Sequence, residues 1–161
     1  MVPCFVVGVA DGAPVPLTMA QALNQLLPPP EGKKRIVLVT GGRSFTDAHL
    51  VNVALTAADP GMVIEGGATG TDRLCRVWAH AHGVHTLRVD ALWDFYAEQE
   101  RKGVPGATRG KAGPVRNSAM VRVASMLRAV VVAFPGGEGT ADLVGKAGAA
   151  KLDVIEIQSE P

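Results

Sequence analysis

Five short apolar runs, each bounded by glycine or proline and separated by helical patterns, organise residues 35–157. The first, Arg35-Ile-Val-Leu-Val-Thr40, is continuously apolar rather than alternating, which suits a strand covered on both faces of a parallel sheet. A helix follows from about Thr46 to Ala57, with Leu50, Val53, Ala54 and Ala57 at three- and four-residue steps and Asp59-Pro60-Gly61 as its stop. The cycle repeats. Met62–Glu65 reads as a strand and Thr71–His82 as a helix with Leu74, Val77, Trp78 and Ala81 in one stripe. Gly83 closes that helix, and Val84–Val89 is the third strand. A further helix starts at Gly113-Pro114, with Met120, Val123, Met126 and Leu127 as a core stripe. Ala129–Phe134 and Val154–Ile157 are the last strands, with a helix over Thr140–Ala150 between them. Such alternation predicts an α/β fold, a doubly wound parallel sheet of order 3-2-1-4-5. Its switch point lies between the first and fourth strands, and ligands in such sheets bind beyond the carboxyl ends there.

Two segments stand apart. Residues 1–34 read as an N-terminal extension, with an edge strand over Cys4–Ala10, a helix over Thr18–Leu27 and a stop at Pro28-Pro29-Pro30; its expected role is docking or oligomerisation. Residues 35–161 form the main domain. The long polar segment from Asp94 to Ala112 reads as a functional or mobile loop.

The chain has 161 residues, of which 47% are hydrophobic and 19% charged, enough for one soluble core. The net charge of +1 lacks the basic excess of a nonspecific nucleic-acid binder, so nucleic acid is not an expected partner. Cys4 and Cys75 form no CxxC, and no basic residue precedes Phe5–Ala10; both suit a cytoplasmic protein. No apolar run approaches the ~20 residues of a membrane span.

Three glycine loops follow strands one, two and four. Gly136, Gly137 and Gly139 precede Thr140 at a helix start, where unpaired amides and the helix dipole attract anions. Gly66, Gly67 and Gly70 repeat the design ahead of Asp72, which either caps the helix or accepts from ribose hydroxyls. Gly41, Gly42 and Arg43 form the third loop. Arg116 is placed in the first turn of its helix, an unfavourable site for a cation unless a bound anion compensates. Neither GxGxxG nor GxxxxGK[ST] occurs, and no cofactor is expected.

The set GGRSF (41–45), EGGATGTD (65–72), GPVRN (113–117) and AFPGGEGTAD (133–142) resembles the YspA-related branch of the SLOG superfamily, over about residues 35–157. Its relatives include the Lonely guy phosphoribohydrolases and the DNA-processing protein A domain. The resemblance implies a Rossmann-like fold, a nucleotide or nucleotide-derived ligand and a homodimer. Lonely guy enzymes continue PGGxGT with xxE, whereas this chain has Leu143 there and Asp142 one residue earlier. Their Arg-Lys pair is matched only in part, by Arg116-Asn117.

Two functions follow from these residues. One is a nucleotide sensor or processing domain without turnover; the other is hydrolysis of a nucleotide N-glycosidic bond, where a carboxylate stabilises oxocarbenium charge or activates water. Asp142 and Glu138 lead the catalytic candidates, followed by Asp72 and Asp94, and each also suits an ordinary helix-start, loop or turn position. Trp93 and Tyr96 are candidates for base stacking, with core packing the alternative for Trp93. His80, His82 and His85 face different directions, so no metal site is expected.

Overall fold

The computed structural model describes residues 5–10, 13–18 and 32–158. It is a seven-stranded sheet flanked by helices. In chain order the elements are β1 (Phe5–Ala10), β2 (Ala13–Thr18), β3 (Arg35–Thr40), α1 (Ala48–Ala58), β4 (Pro60–Glu65), α2 (Thr71–Ala81) and β5 (His85–Arg88). Then come α3 (Trp93–Arg101), a 3-10 turn (Arg109–Lys111), α4 (Ala112–Leu127), β6 (Val130–Ala133), α5 (Glu138–Ala149) and β7 (Val154–Gln158).

The sheet order is β2-β1-β7-β6-β3-β4-β5. Its five parallel strands, β5-β4-β3-β6-β7, are the expected 3-2-1-4-5. The other two add antiparallel pairs: β1 on β7, and β2 on β1. β2 went unread in the sequence because Pro14 and Pro16 interrupt it. A strand with two prolines is confined to a sheet edge, where their missing donors break no ladder, and that is where β2 lies. Of the helix expected over 18–27, Thr18 is the last residue of β2 and the rest falls outside the described residues.

Continuous apolar strands produce two cores. On one face Val37, Val39, Val63, Val132 and Ile155 meet Leu50, Val51, Ala54 and Leu55 of α1 and Cys75 and Ala79 of α2. On the other, Leu38, Ile64 and Val131 meet Met120, Val121 and Ala124 of α4 and Leu143 and Ala147 of α5. Alternate residues of β3 thus serve opposite layers, which forces its central positions, Ile36–Val39, to be apolar.

Several local expectations shift. Asp47 caps α1, accepting from the Leu50 amide at 2.9 Å. In α2 the buried face runs through Thr71, Asp72, Cys75 and Ala79, while Val77 is 57% exposed. The stripe is rotated because polar Thr71 and Asp72 turn inward to tie down the loops. In α4 Met120 is buried but Met126 is 78% exposed, because Val121 and Ala124 supply the contact instead. The polar stretch after Asp94 is largely α3 and the 3-10 turn rather than loop, although α3 buries none of its residues.

The three glycine loops pack backbone to backbone at the carboxyl edge. Gly42 donates to the Pro135 carbonyl at 2.8 Å, and its own carbonyl accepts from the Thr71 amide at 3.1 Å. Gly70, at φ 69°, lies against the Gly42 and Arg43 backbone, and a Cβ there would collide with both. Gly145, inside α5, faces open space. Gly70→Ala should therefore lower stability by more than about 1 kcal/mol, since strain and collision add. Gly145→Ala should raise it by roughly 0.5–1 kcal/mol through helix propensity. Urea unfolding of both variants checks the contrast.

Candidate functional site

A cavity of about 540 Å³ opens at the carboxyl edge between β3 and β6, the switch point of the sheet. Its wall takes Gly41, Gly42 and Arg43 from the β3 loop, Ala68 and Asp72 from the β4 loop and α2, and Gly137, Glu138, Gly139, Thr140 and Asp142 from the β6 loop and α5. Trp93, Gly113, Arg116 and Asn117 complete it from α3 and α4. Elements distant in sequence meet there because each crossover returns the chain to the same rim.

The sequence-derived residues divide into two groups. Gly70 and Gly136 do not line this cavity. Gly136 sits under the Thr140 side chain and the Gly42 amide, and a Cβ would strike both. These glycines permit the loops to interlock. Gly66 and Gly67 line a smaller neighbouring cavity. Gly137 and Gly139 have open space where a Cβ would point, so their backbone can be approached closely. Gly137 caps α5 without a side-chain bond, and the helix ladder begins with the Ala141 amide donating to Gly137. Among the described residues, the amides of Glu138, Gly139 and Thr140 have no acceptor. An open helix start facing a cavity favours an anion.

Arg116 reaches this space from α4, but from its fifth residue rather than its first turn. The dipole cost expected from sequence therefore falls away, and bonding explains its position. Its Nη1 donates to the Gly66 carbonyl and its Nε to Asn117 Oδ1 at 3.1 Å. Burial lowers the Arg116 pKa, as does Arg43 nearby, while Asp72, Glu65 and Asp90 oppose the shift. Arg43 is exposed, makes no side-chain hydrogen bond among the described residues, and lies 5.1 Å from the Trp93 ring centre. Arg109 approaches the same ring at 5.0 Å. Trp93 is thus neither a core residue nor a bare stacking surface; it steadies two cations by cation–π contact.

Asn117 is buried and fully engaged. Its Nδ2 donates to the Gly139 carbonyl at 3.1 Å and to Asp142 Oδ2 at 2.9 Å. It orients Arg116 and Asp142 and joins α4 to α5. Asp142 also receives Lys146 Nζ at 2.8 Å. Desolvation raises the Asp142 pKa, but the bonds from Lys146 and Asn117 outweigh it and hold the carboxyl below its ordinary value. Asp72 behaves oppositely. It is 7% exposed, and its Oδ2 accepts from the Gly66 and Ala68 amides at 3.2 and 3.1 Å. Burial is the main cause that pushes its pKa up, and Glu65 adds to it. Asp72 thus braces the β4 loop instead of capping α2, whose N-cap is Gly70 with no side-chain bond.

Glu138 is exposed on the wall, whereas Asp94 is exposed and lies outside the lining. His80, His82 and His85 are all exposed, and His82 stacks on Trp78. Three neighbours of the candidate site were missed by sequence reasoning. Glu65 is wholly buried, accepts from the Gly67 amide at 2.6 Å and pairs with Arg76 at 3.3 Å. Lys146 reaches Asp142 and the Pro114 carbonyl. Arg109 carries no motif. Only the Asp142–Lys146 spacing of four within a helix gave a signal.

Residues 35–96 match the YspA, cpYpsA-related SLOG family. That bears out the resemblance read from the loop motifs. The X-ray structure of DNA processing protein A from Streptococcus pneumoniae is similar in fold, with a TM-score of 0.52 and 17% identity. The alignment covers 75% of this chain and 49% of that one, so this chain spans about half its length. Comparison with curated proteins gives no match. The SLOG match and the shared fold make this a Rossmann-like domain. No helix among the described residues is long and apolar enough to cross a membrane.

The Asp142 pKa carries a sign. Because it is lowered on folding, its bonds stabilise the protein above the ordinary aspartate value of 3.8 and are lost as pH falls through that region. Asp142→Asn should therefore be less stable than wild type at neutral pH. The gap should stay nearly constant down to about pH 5 and close below it, measured by denaturant midpoints across pH.

Proposed function

We propose that this chain binds a phosphate-bearing nucleotide or nucleotide-derived ligand, as a sensor or processing domain. The observation that carries this reading is the open start of α5, whose free amides line the same cavity as the Arg43 and Arg116 guanidiniums. Phosphate would lie on Gly137–Thr140, with Arg116 held ready by Asn117 and Arg43 closing from Trp93. The sugar would lie towards Asp72 and Ala68. In this reading residues 35–161 are the binding unit, strands β1 and β2 extend its sheet, and residues 1–34 supply a surface for docking or a homodimer.

Arg43 is the cleaner probe of this site, because Arg116 also bonds Gly66 and its removal would loosen the β4 loop. Arg43→Ala should weaken binding of adenosine and guanosine monophosphates by roughly 10- to 100-fold, the loss of one charged hydrogen-bonding group at about 1.5–3 kcal/mol. The melting temperature of the unliganded protein should not move. Calorimetric titration with thermal unfolding measures both; unchanged affinity defeats the assignment.

A second reading, N-glycosidic hydrolysis, has one observation in its favour. Asp72 and Asp142 line one cavity and are driven in opposite directions, Asp72 upward by burial and Asp142 downward by its partners. Paired carboxyl groups with separated pKa values are the usual arrangement for acid and base roles. Asp142, ionised at neutral pH, would stabilise positive charge on the ribose ring, and Glu138 lies beside it on the wall. Long incubation with nucleoside monophosphates, followed by chromatography, should release free base if this holds. Asp142→Asn should cut that release at least 100-fold, and absence of release from wild type leaves the binding reading alone.

A further inference from the structure

We propose that the ligand carries a second phosphoryl group and that Arg88 binds it in the smaller cavity beside the main one. This rests on the nucleotide reading above and names the charge of the ligand at that same site. The smaller cavity, about 350 Å³, shares Arg43, Ala68, Trp93 and Arg116 with the main one and adds Arg88, Asp90, Gly66, Gly67 and Thr69. Three guanidiniums stand against one carboxylate on its wall, an excess of two positive charges. A single phosphate on α5 engages Arg116 and Arg43 and leaves Arg88, which does not line the main cavity, as the guanidinium it does not reach.

The placement of Arg88 is specific. It is the last residue of β5, at the carboxyl edge where the other ligand-facing loops begin. Asp90 accepts from its Nε at 2.6 Å, which fixes the guanidinium, and its two terminal nitrogens have no partner among the described residues. The pair lies directly over Gly67, whose φ of 72° and missing Cβ make room for it; a side chain there would strike both Arg88 Nε and Asp90 Oδ1. Arg43 completes the subsite. Its side chain rests on the Trp93 ring and makes no hydrogen bond among the described residues, so it can turn to either cavity without breaking one.

A terminal guanidinium with free paired nitrogens suits the oxygens of a phosphoryl group. Two ligand types present such a group: a nucleoside phosphorylated at both ends of its sugar, and one with a pyrophosphate chain. Titration of the full chain distinguishes them. The probes are the 5′-monophosphate, 5′-diphosphate and 3′,5′-bisphosphate of adenosine and of guanosine, at one fixed salt concentration. At least one two-phosphate probe should bind tenfold or more tightly than its monophosphate. Arg88→Gln should abolish that advantage while changing monophosphate affinity less than twofold. Which probe gains identifies the ligand type. If monophosphate and two-phosphate probes bind alike, or Arg88→Gln weakens all probes equally or none, the second subsite is overturned and the nucleotide reading stands. If wild type binds no probe, both fall.

Discussion

Gly42 joins three loops through its own peptide groups. Its amide donates to the β6 loop at Pro135, and its carbonyl accepts from Thr71 at the start of α2. Strands β3, β4 and β6 are fixed in the sheet, but their loops would splay without this link. Buried backbone polar groups must find partners, and here those partners belong to a different crossover. Gly70 and Gly136 remain bare so that these backbones can touch. The cavity exists because this knot draws the rim inward while leaving the first turn of α5 unfilled.

Around that rim, electrostatics is arranged in two layers. Behind the loops, a brace of buried Asp72 and Glu65 holds the β4 loop by its amides, and half-buried Arg76 pairs with Glu65. In front, Arg43, Arg88 and Arg109 are exposed and held by the Trp93 ring or by Asp90. Arg116 connects the layers, bonding the loop backbone while facing the cavity. Groups in the brace act on stability, because removing one strands its buried partner. Groups in front face solvent, so replacing one strands no buried partner.

The parallel core was legible because a strand buried on both faces must be apolar throughout, and Ile36–Val39 and Val130–Val132 are. Both the order of the strands and the site at their carboxyl ends followed from alternation and handedness. Less was legible where exposure and polarity conflict with position. β2 was hidden by Pro14 and Pro16, α3 by its lack of any buried residue, and the true face of α2 by inward Thr71 and Asp72. Met126 and Val77 carried apolar signals yet face solvent, since helix periodicity gives a stripe only to within one residue.

Sequence alone determined the covalent and local facts: which backbone is bare and which strands demand burial. It therefore placed glycine loops and arginines on one rim. Only the tertiary structure decided their division of labour. Gly136 and Gly137 are neighbours of one kind, yet a Cβ on the first would strike Thr140 and Gly42 while one on the second would meet open space. That difference comes from contacts between segments tens of residues apart, and such contacts have no signature within either segment.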